Sequence, residues 1–469
     1  MLDMPIAMEL ASFSPLTTHA VVLAGGAGSR ITPLPSSSIP KALLPIANRP
    51  MIFYALFSIH RAHIPSASVF VSAEFRNQIE TYVNEIYVKD PLVKALQWSL
   101  TCEFLVRDEE GGTADALRIL DGADAHATTL VVLSSDYVGN ISIERVLQHH
   151  IDTLATATVT LVRQKCTPVQ VPKQKGKASK KPAQSSTYSV TNYAMLSDEH
   201  RLLALISPSD LTNNKVIVRP TLTRRYDSIK LCSDMYDPHV YVFHKMTVRY
   251  VLRLFPAISS VRFDLVPYLA RRQHTLQRTA ETLDWPYPGE QLVVNALVLD
   301  ATSTYAKRAN TVEHFLATNA EVASGCINTF LSPSDDPPER PKKGKKSERK
   351  LPFVTAGEKV SVSPDSAVAH NVTAGHRTSV KKSVVGPNCK LGSNVKINGC
   401  VLMQGVVLED GVNLSSCVVC DDAVIGHNST LKDCRVAAGI VVSPESEVSD
   451  KDFTGAQEDV YGLGDIEFV

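Results

Sequence analysis

The stretch VGPNCKLGSNVKINGCVLMQGVVLEDGVNLSSCVVCDDAVIGHNSTL, running from Val385 to Leu431, decides the fold of the C-terminal third of the chain. Large aliphatic residues recur in trios: Val385, Leu391 and Ile397, then Leu402, Leu408 and Leu414, then Val419, Ile425 and Leu431, continued by Val436, Val442 and Val448. The step within a trio is six residues, and corresponding members are seventeen apart. Neither the ~3.6-residue repeat of a helix nor the ~2-residue repeat of a strand produces that spacing. A three-sided coil does, with one short strand and one corner per six residues and successive coils stacked ~4.8 Å apart. Ser383, Cys400, Cys417 and Cys434 share a column, and so do Asn394, Gly411 and Asn428, where a residue tolerant of positive φ is expected. Upstream, Val368 and Val380 fit the columns and Ala374 fits weakly, so about five coils are expected between Val362 and Val448.

Working outward, the N-terminal part has a different texture. HAVVLAG, SVFVSA, TCEFLV, TLVVLSSD and TATVTLV are near-continuous apolar runs, as strands buried on both faces should be. Between them Met51–Ala62, Gln78–Tyr87, Ala114–Leu120 and Ile143–Asp152 read as helices, which makes βαβ units and a parallel sheet. Regularity is lost after Thr187, and a mixed sheet ending in a helix over Val312–Ala323 is expected. Lys165–Thr187 and Leu331–Lys350 are rich in Pro, Lys and Ser with little to bury, and are expected to be a disordered insertion and a linker.

Lys plus Arg is 48 and Asp plus Glu is 48, so the basic field that drives general nucleic-acid binding is missing. No apolar run approaches the ~18 residues of a membrane span, and the first eighteen residues contain Asp3 and Glu9 but no Lys or Arg, so the expected compartment is the cytosol. Nine cysteines spread over 469 residues point to reduced thiols. Cys417-Val-Val-Cys420 reads as packing rather than a metal pair. His149-His150 reads as a partner of a helix dipole, and Asp121, Asp124 and His126 as a solvated turn.

The chemistry-bearing segment is Leu23-Ala-Gly-Gly-Ala-Gly-Ser-Arg30, followed by Ile39-Pro-Lys41. Placed after the first strand, its glycines would let backbone amides approach a phosphate, which Arg30 and Lys41 could neutralise. A bare Gly-Gly-x-Gly fits a structural turn equally well; the whole string is more specific, and it is not a P-loop, since no Gly-Lys-Ser/Thr follows. With Gly111-Gly112-Thr113-Ala114 and Ser134-Ser135-Asp136 it resembles the sugar-nucleotide nucleotidyltransferases, the pyrophosphorylase-like family that joins a nucleoside triphosphate to a sugar 1-phosphate. The resemblance implies an α/β nucleotidyltransferase-like (Rossmann-like mixed sheet) domain, and the C-terminal repeat resembles the hexapeptide-repeat, all-β left-handed parallel β-helix. It also implies a nucleotide site at Gly25, Gly26, Gly28, Arg30, Lys41, Gly112, Thr113 and Asp136. In that family two carboxylates hold magnesium and a lysine stands in a Glu-Lys-Pro segment. Here Ile206-Ser207-Pro208 and Arg308-Ala-Asn-Thr311 stand at those places, so no metal site and no catalytic residues are expected.

An intact first loop, a degraded catalytic set and a β-helix resemble the gamma-subunit family of translation initiation factor 2B. Val261-Arg-Phe-Asp-Leu-Val-Pro-Tyr-Leu-Ala-Arg-Arg-Gln273 and Asn398-Gly-Cys-Val-Leu-Met-Gln-Gly405 carry that resemblance. It implies a non-catalytic subunit that pairs with an epsilon subunit, in company with alpha, beta and delta subunits, and promotes guanine-nucleotide exchange on initiation factor 2. No cofactor is required on that reading, and the loop is compatible with ATP or GTP. The alternative is a working nucleotidyltransferase such as a GDP-mannose pyrophosphorylase. The subunit reading expects exposed apolar surface on the β-helix. The expected organisation is an N-terminal tail over 1–18, the nucleotidyltransferase-like domain over 19–330 with its insertion at 165–187, a linker over 331–354, the β-helix over 355–450 and an acidic tail over 451–469.

Overall fold

The computed structural model describes residues 17–26, 28–34, 39–106, 111–120, 127–164, 192–207, 211, 215–274, 292–327 and 355–454. The expected insertion and linker lie outside the described residues, as do Asp121, Asp124 and His126. The chain divides into two compact units, one of residues up to Gly26 with Ile52–Lys307, the other of Ala27–Met51 with Arg308–Val469.

The first unit is built on a mixed sheet. In spatial order its strands are Met235–Tyr236, Ala157–Arg163, Val240–His244, Thr129–Ser134, Thr18–Leu23, Ser66–Val71 and Thr101–Val106, with Val294–Asp300 also pairing with Ala157–Arg163. The four strands from Thr129–Ser134 to Thr101–Val106 are mutually parallel, and Val240–His244 is inserted antiparallel between Thr129–Ser134 and Ala157–Arg163. All five apolar runs of the sequence are thus strands of one sheet. Helix Met51–Arg61 is buried over Met51–His60 because its sequence is apolar almost all round. Helix Ile143–Asp152 starts where the Ser142 hydroxyl accepts the Arg145 amide at 3.2 Å. A small antiparallel sheet orders Leu202–Ile206, Tyr193–Ser197 and Ile229–Cys232.

In the second unit Thr355–Phe453 forms a β-helix of three parallel sheets with six strands each, one coil more than the sequence predicts. The register reproduces the repeat: Val385 pairs with Leu402, Leu402 with Val419 and Val419 with Val436, while Leu391, Leu408, Ile425 and Val442 line the second side and Ile397, Leu414, Leu431 and Val448 the third. Val368, Ala374 and Val380 extend these columns upstream. The predicted corner column has φ of 59° at Asn394, 77° at Gly411 and 56° at Asn428. Two further columns, Asn388–Gly405–Asp422 and Lys382–Gly399–Ser416, are also left-handed. Both escaped the sequence reading, although Asn388, Gly405 and Asp422 are turn formers; only Lys382 in the other column carries no turn signal.

Helix Val312–Ala323 groups with the β-helix instead of closing the α/β part as the sequence suggests. Asn319 on this helix is fully buried, accepts the Ala47 amide at 2.8 Å and donates to the Pro45 carbonyl at 3.3 Å, and Asn48 donates to the Val385 carbonyl at 3.2 Å. Hydrogen bonds therefore join helix, Ala27–Met51 segment and first coils. Val384, Val401 and Val418 precede the interior valines and leucine in their strands and so point outward, yet all three are buried. The expected exposed apolar surface on the β-helix is not found: Val441 is its one exposed large apolar residue among those described, the others lying in the α/β unit. Helix Val312–Ala323 contacts the strand of Val384, so part of the apolar outer face is already covered.

Candidate functional site

Strands Thr18–Leu23 and Thr129–Ser134 run side by side with Leu23 paired to Ser134, so the residues after each emerge at one edge of the sheet. The Ser135 amide donates to the Leu23 carbonyl at 3.0 Å, and the Ala24 amide to the Phe70 carbonyl at 2.8 Å. Gly25, Gly26 and the buried Asp136 meet there, at the carboxyl ends of parallel strands, where α/β sheets bind ligands. A Cβ on Gly26 would meet nothing within 4 Å among the described residues, and its φ is not in the left-handed region. Among the described residues neither packing nor backbone requires a glycine at 26, and open space beside exposed backbone is what a phosphate needs.

Gly28 has a left-handed φ of 73° and opens a 3-10 turn, Ser29–Ile31, with the Ile31 amide donating to its carbonyl at 2.9 Å. The turn buries Ile31 and leaves Arg30 exposed. Lys41, half-buried, starts the 3-10 turn Lys41–Leu43. Gly28, Arg30 and Lys41 group with the second unit, while Gly25, Gly26, Gly112, Thr113 and Asp136 belong to the first.

Gly112 and Thr113 serve packing. A Cβ at Gly112 would lie 2.1 Å from the Ser259 carbonyl oxygen, so only glycine admits that backbone. The Ala114 amide donates to the same carbonyl at 2.7 Å, and the Thr113 hydroxyl accepts the Val261 amide at 2.9 Å. The Gly112 amide donates to Asp115 at 2.6 Å, which leaves that donor engaged. Arg118, one turn on, pairs with Asp115 and donates to the carbonyls of Leu252, Phe255, Pro256 and Ile258. Sequence reasoning passed over this clamp, whose one visible signal is the three-residue spacing of Asp115 and Arg118. The distinctive string Val261–Gln273 is likewise anchored: Arg262 reaches Asn192 and, at 3.5 Å, the buried Asp237, and Gln273 donates to the Leu202 carbonyl at 2.6 Å.

Ser207 follows strand Leu202–Ile206, and Pro208 lies outside the described residues. Arg308 ends strand Ala306–Arg308, which pairs with Tyr137–Gly139, the strand directly after Asp136. Among the described residues no three His, Cys, Asp or Glu side chains gather as a metal site. Cys417 and Cys420 are buried free thiols; Cys417 donates to the Ser415 carbonyl at 3.2 Å, and burial pushes Cys420 up to about 12. His150 corrects the dipole reading: it is buried, bonded to the Thr158 hydroxyl at 2.8 Å, and burial pulls its pKa down to about 3, so it is neutral at pH 7 and carries no charge to the helix end. No helix among the described residues is long and apolar enough to cross a membrane.

These elements define a nucleotidyltransferase domain joined to a left-handed parallel β-helix. Family models agree: Nucleotidyl transferase matches residues 19–170, and the EIF2B subunit epsilon LbH domain matches 350–448. Over most of its length the chain is a relative of the gamma subunits of translation initiation factor eIF2B. It is 27% identical to that of Schizosaccharomyces pombe over 448 residues, covering 90% of this chain and 86% of the relative, and 22% identical to that of Dictyostelium discoideum over 403 residues, covering 77% and 85%. A putative mannose-1-phosphate guanyltransferase of Sulfolobus acidocaldarius is 23% identical over 222 residues, covering 46% of this chain and 52% of that protein.

Proposed function

We propose that the chain is a non-catalytic, gamma-type subunit of an initiation factor 2B exchange complex in the cytosol. In this role it pairs with an epsilon subunit, assembles with alpha, beta and delta subunits, and promotes GDP/GTP exchange on initiation factor 2 without touching nucleic acid or membrane. The observation that carries the reading is the extent of the likeness: the fission yeast gamma subunit aligns over 90% of this chain and through both units, the archaeal guanyltransferase over 46%. Loss of catalysis is supported by residue chemistry. Nucleotidyl transfer needs its developing phosphate charge neutralised, and a hydroxyl at Ser207 and a cation at Arg308 supply neither the lysine nor the second carboxylate of the active family.

The glycine edge is compatible in shape with a nucleotide, with the space beside Gly26 open to a phosphate among the described residues. ATP or GTP is the proposed optional ligand, with Gly28, Arg30 and Lys41 of the same loop as further candidates and Asp136 as the remaining carboxylate. Gly112 and Thr113 stay in the proposed set only as a wall, since the Gly112 amide is bonded to Asp115, its Cα packs against the Ser259 carbonyl, and the Thr113 hydroxyl accepts the Val261 amide.

The test is isolation of the tagged chain from its own cells. A near-equal amount of an epsilon-like partner is expected, together with no pyrophosphate release by the purified chain from any pairing of nucleoside triphosphate and sugar 1-phosphate. Recovery of the chain alone, or measurable turnover, would restore the synthetic enzyme.

A further inference from the structure

The segment Val261–Gln273 has two faces. Val261, Leu265, Val266, Leu269 and Ala270 enter the core. Phe263, Tyr268, Arg271 and Arg272 turn the other way and, with Arg219, line a cavity of about 430 Å³. Two of its three arginines are held in place: Arg272 lies 5.5 Å from the centre of the Tyr268 ring and donates to the Tyr268 hydroxyl at 3.0 Å, and Arg271 donates to the Pro267 carbonyl at 3.2 Å. Guanidinium planes fixed in this way lose little freedom on gripping a carboxylate. The acid in the wall, Asp264, is turned to the Ser259 and Ser260 amides at 3.1 and 2.8 Å. The positive field is dense here in a chain of zero formal charge. Burial, then Arg225, Arg201 and Arg219, pull the pKa of neighbouring His274 down to about 4.

Arg219 has a neighbour of opposite character. Val218, next to it in the chain, lines a second, mainly apolar cavity of about 320 Å³ with Met195, Thr223, Tyr226, Ile229, Leu231 and one acid, Asp227. Ile217 is 75% exposed, Leu231 51% and Phe263 49%, unusual for residues of this size grouped around two hollows. One basic cavity and one apolar cavity thus meet at consecutive residues.

We propose that this pair of cavities binds an extended acidic peptide segment of a partner protein, its Asp or Glu carboxylates on Arg219, Arg271 and Arg272 and an adjacent large apolar side chain in the hollow of Val218 and Leu231. A nucleic-acid strand would satisfy the first cavity but offers no aliphatic side chain for the second. The site goes beyond the assembly role, and its failure would leave the co-purification result untouched.

The experiment uses the full chain and three fluorescein-labelled probes: a twelve-residue peptide alternating Glu with Leu and Phe, the same peptide with Lys for Glu, and a twelve-nucleotide oligouridylate. Anisotropy should show the acidic peptide binding at least about tenfold tighter than either other probe, with an affinity that falls as salt rises. Arg219→Glu and Arg271→Glu, both at exposed positions, should each weaken it about tenfold while moving the melting midpoint by no more than about 2 °C. Leu231→Asp should weaken it by about fivefold through the apolar cavity. Equal binding by wild type and variants overturns the proposal. So does oligouridylate that binds more tightly and competes.

Discussion

In the β-helix, Leu391, Leu408 and Ile425 look alike in the sequence and do one thing, stacking in register on the same side of successive coils. In the α/β unit, Gly26 and Gly112 also look alike in the sequence and do opposite things: one leaves space open and the other admits a backbone carbonyl. A repeat tests every residue's role several times over, so spacing alone reveals the interior. In a fold without a repeat each position is met once, and its role depends on what the chain brings to it from far away.

The strongest way to break this contrast is a substitution inside a column. Leu414 is fully buried between Ile397 and Leu431. Leu414→Ala should cost about 3 kcal/mol, because coils locked in register above and below cannot close the cavity. Asn413→Ala, next in the strand and exposed, should cost less than about 0.5 kcal/mol. Denaturant unfolding of both variants checks this; equal losses would mean that inward and outward positions are not distinguished by burial.

A second pair sharpens the contrast on the α/β side. Gly112→Ala should destabilise by about 2–3 kcal/mol, since the atom in the way is the Ser259 carbonyl and the backbone must move. Gly26→Ala should change stability by less than about 0.5 kcal/mol, there being nothing to strike among the described residues. If Gly26 serves a phosphate, the same change should lower affinity for ATP or GTP in calorimetry while the melting curve stays put. A destabilised Gly26→Ala would put a packing role back at the first loop.

The same distinction explains what the sequence could reveal. Five of the eight described strands of the α/β sheet and the aliphatic columns of the β-helix were legible, because near-continuous apolar runs and a seventeen-residue repeat write themselves into residue type, although the edge strand Thr101–Val106 is largely exposed and one coil was missed. Gly112 and Thr113 were given as nucleotide-site residues on resemblance alone: Gly-Gly-Thr serves a ligand or a neighbouring backbone equally well, and Ser259 is 147 residues away along the chain. His150 looked like a surface charge at a helix end until the sheet placed Thr158 against it. Helix Val312–Ala323 was correctly bounded, yet an apolar stripe does not say which neighbour it faces. Asn319, which fastens that helix to Pro45 and Ala47, carries no signal for its partner at all.

The corners of the β-helix carry the smallest and most discriminating effect. A left-handed residue other than glycine bears a steric cost from its Cβ of roughly 1–2 kcal/mol, yet Lys382 sits at φ 47° in a column it shares with Gly399 at φ 65°. If stacking forces that conformation, removing the Cβ relieves the cost, and the larger freedom of glycine in the unfolded chain returns part of it, roughly 0.5–1 kcal/mol. Lys382→Gly should therefore stabilise the β-helix by about 0.5 kcal/mol. Its side chain is exposed, so no packing is lost with it. The reverse change, Gly399→Lys, adds the steric cost and should destabilise by about as much. Opposite signs in a denaturant titration would locate the strain in the corner geometry; a loss in both would mean that Lys382 is held by its side chain, and that the hidden columns are chosen by chemistry rather than imposed by the coil.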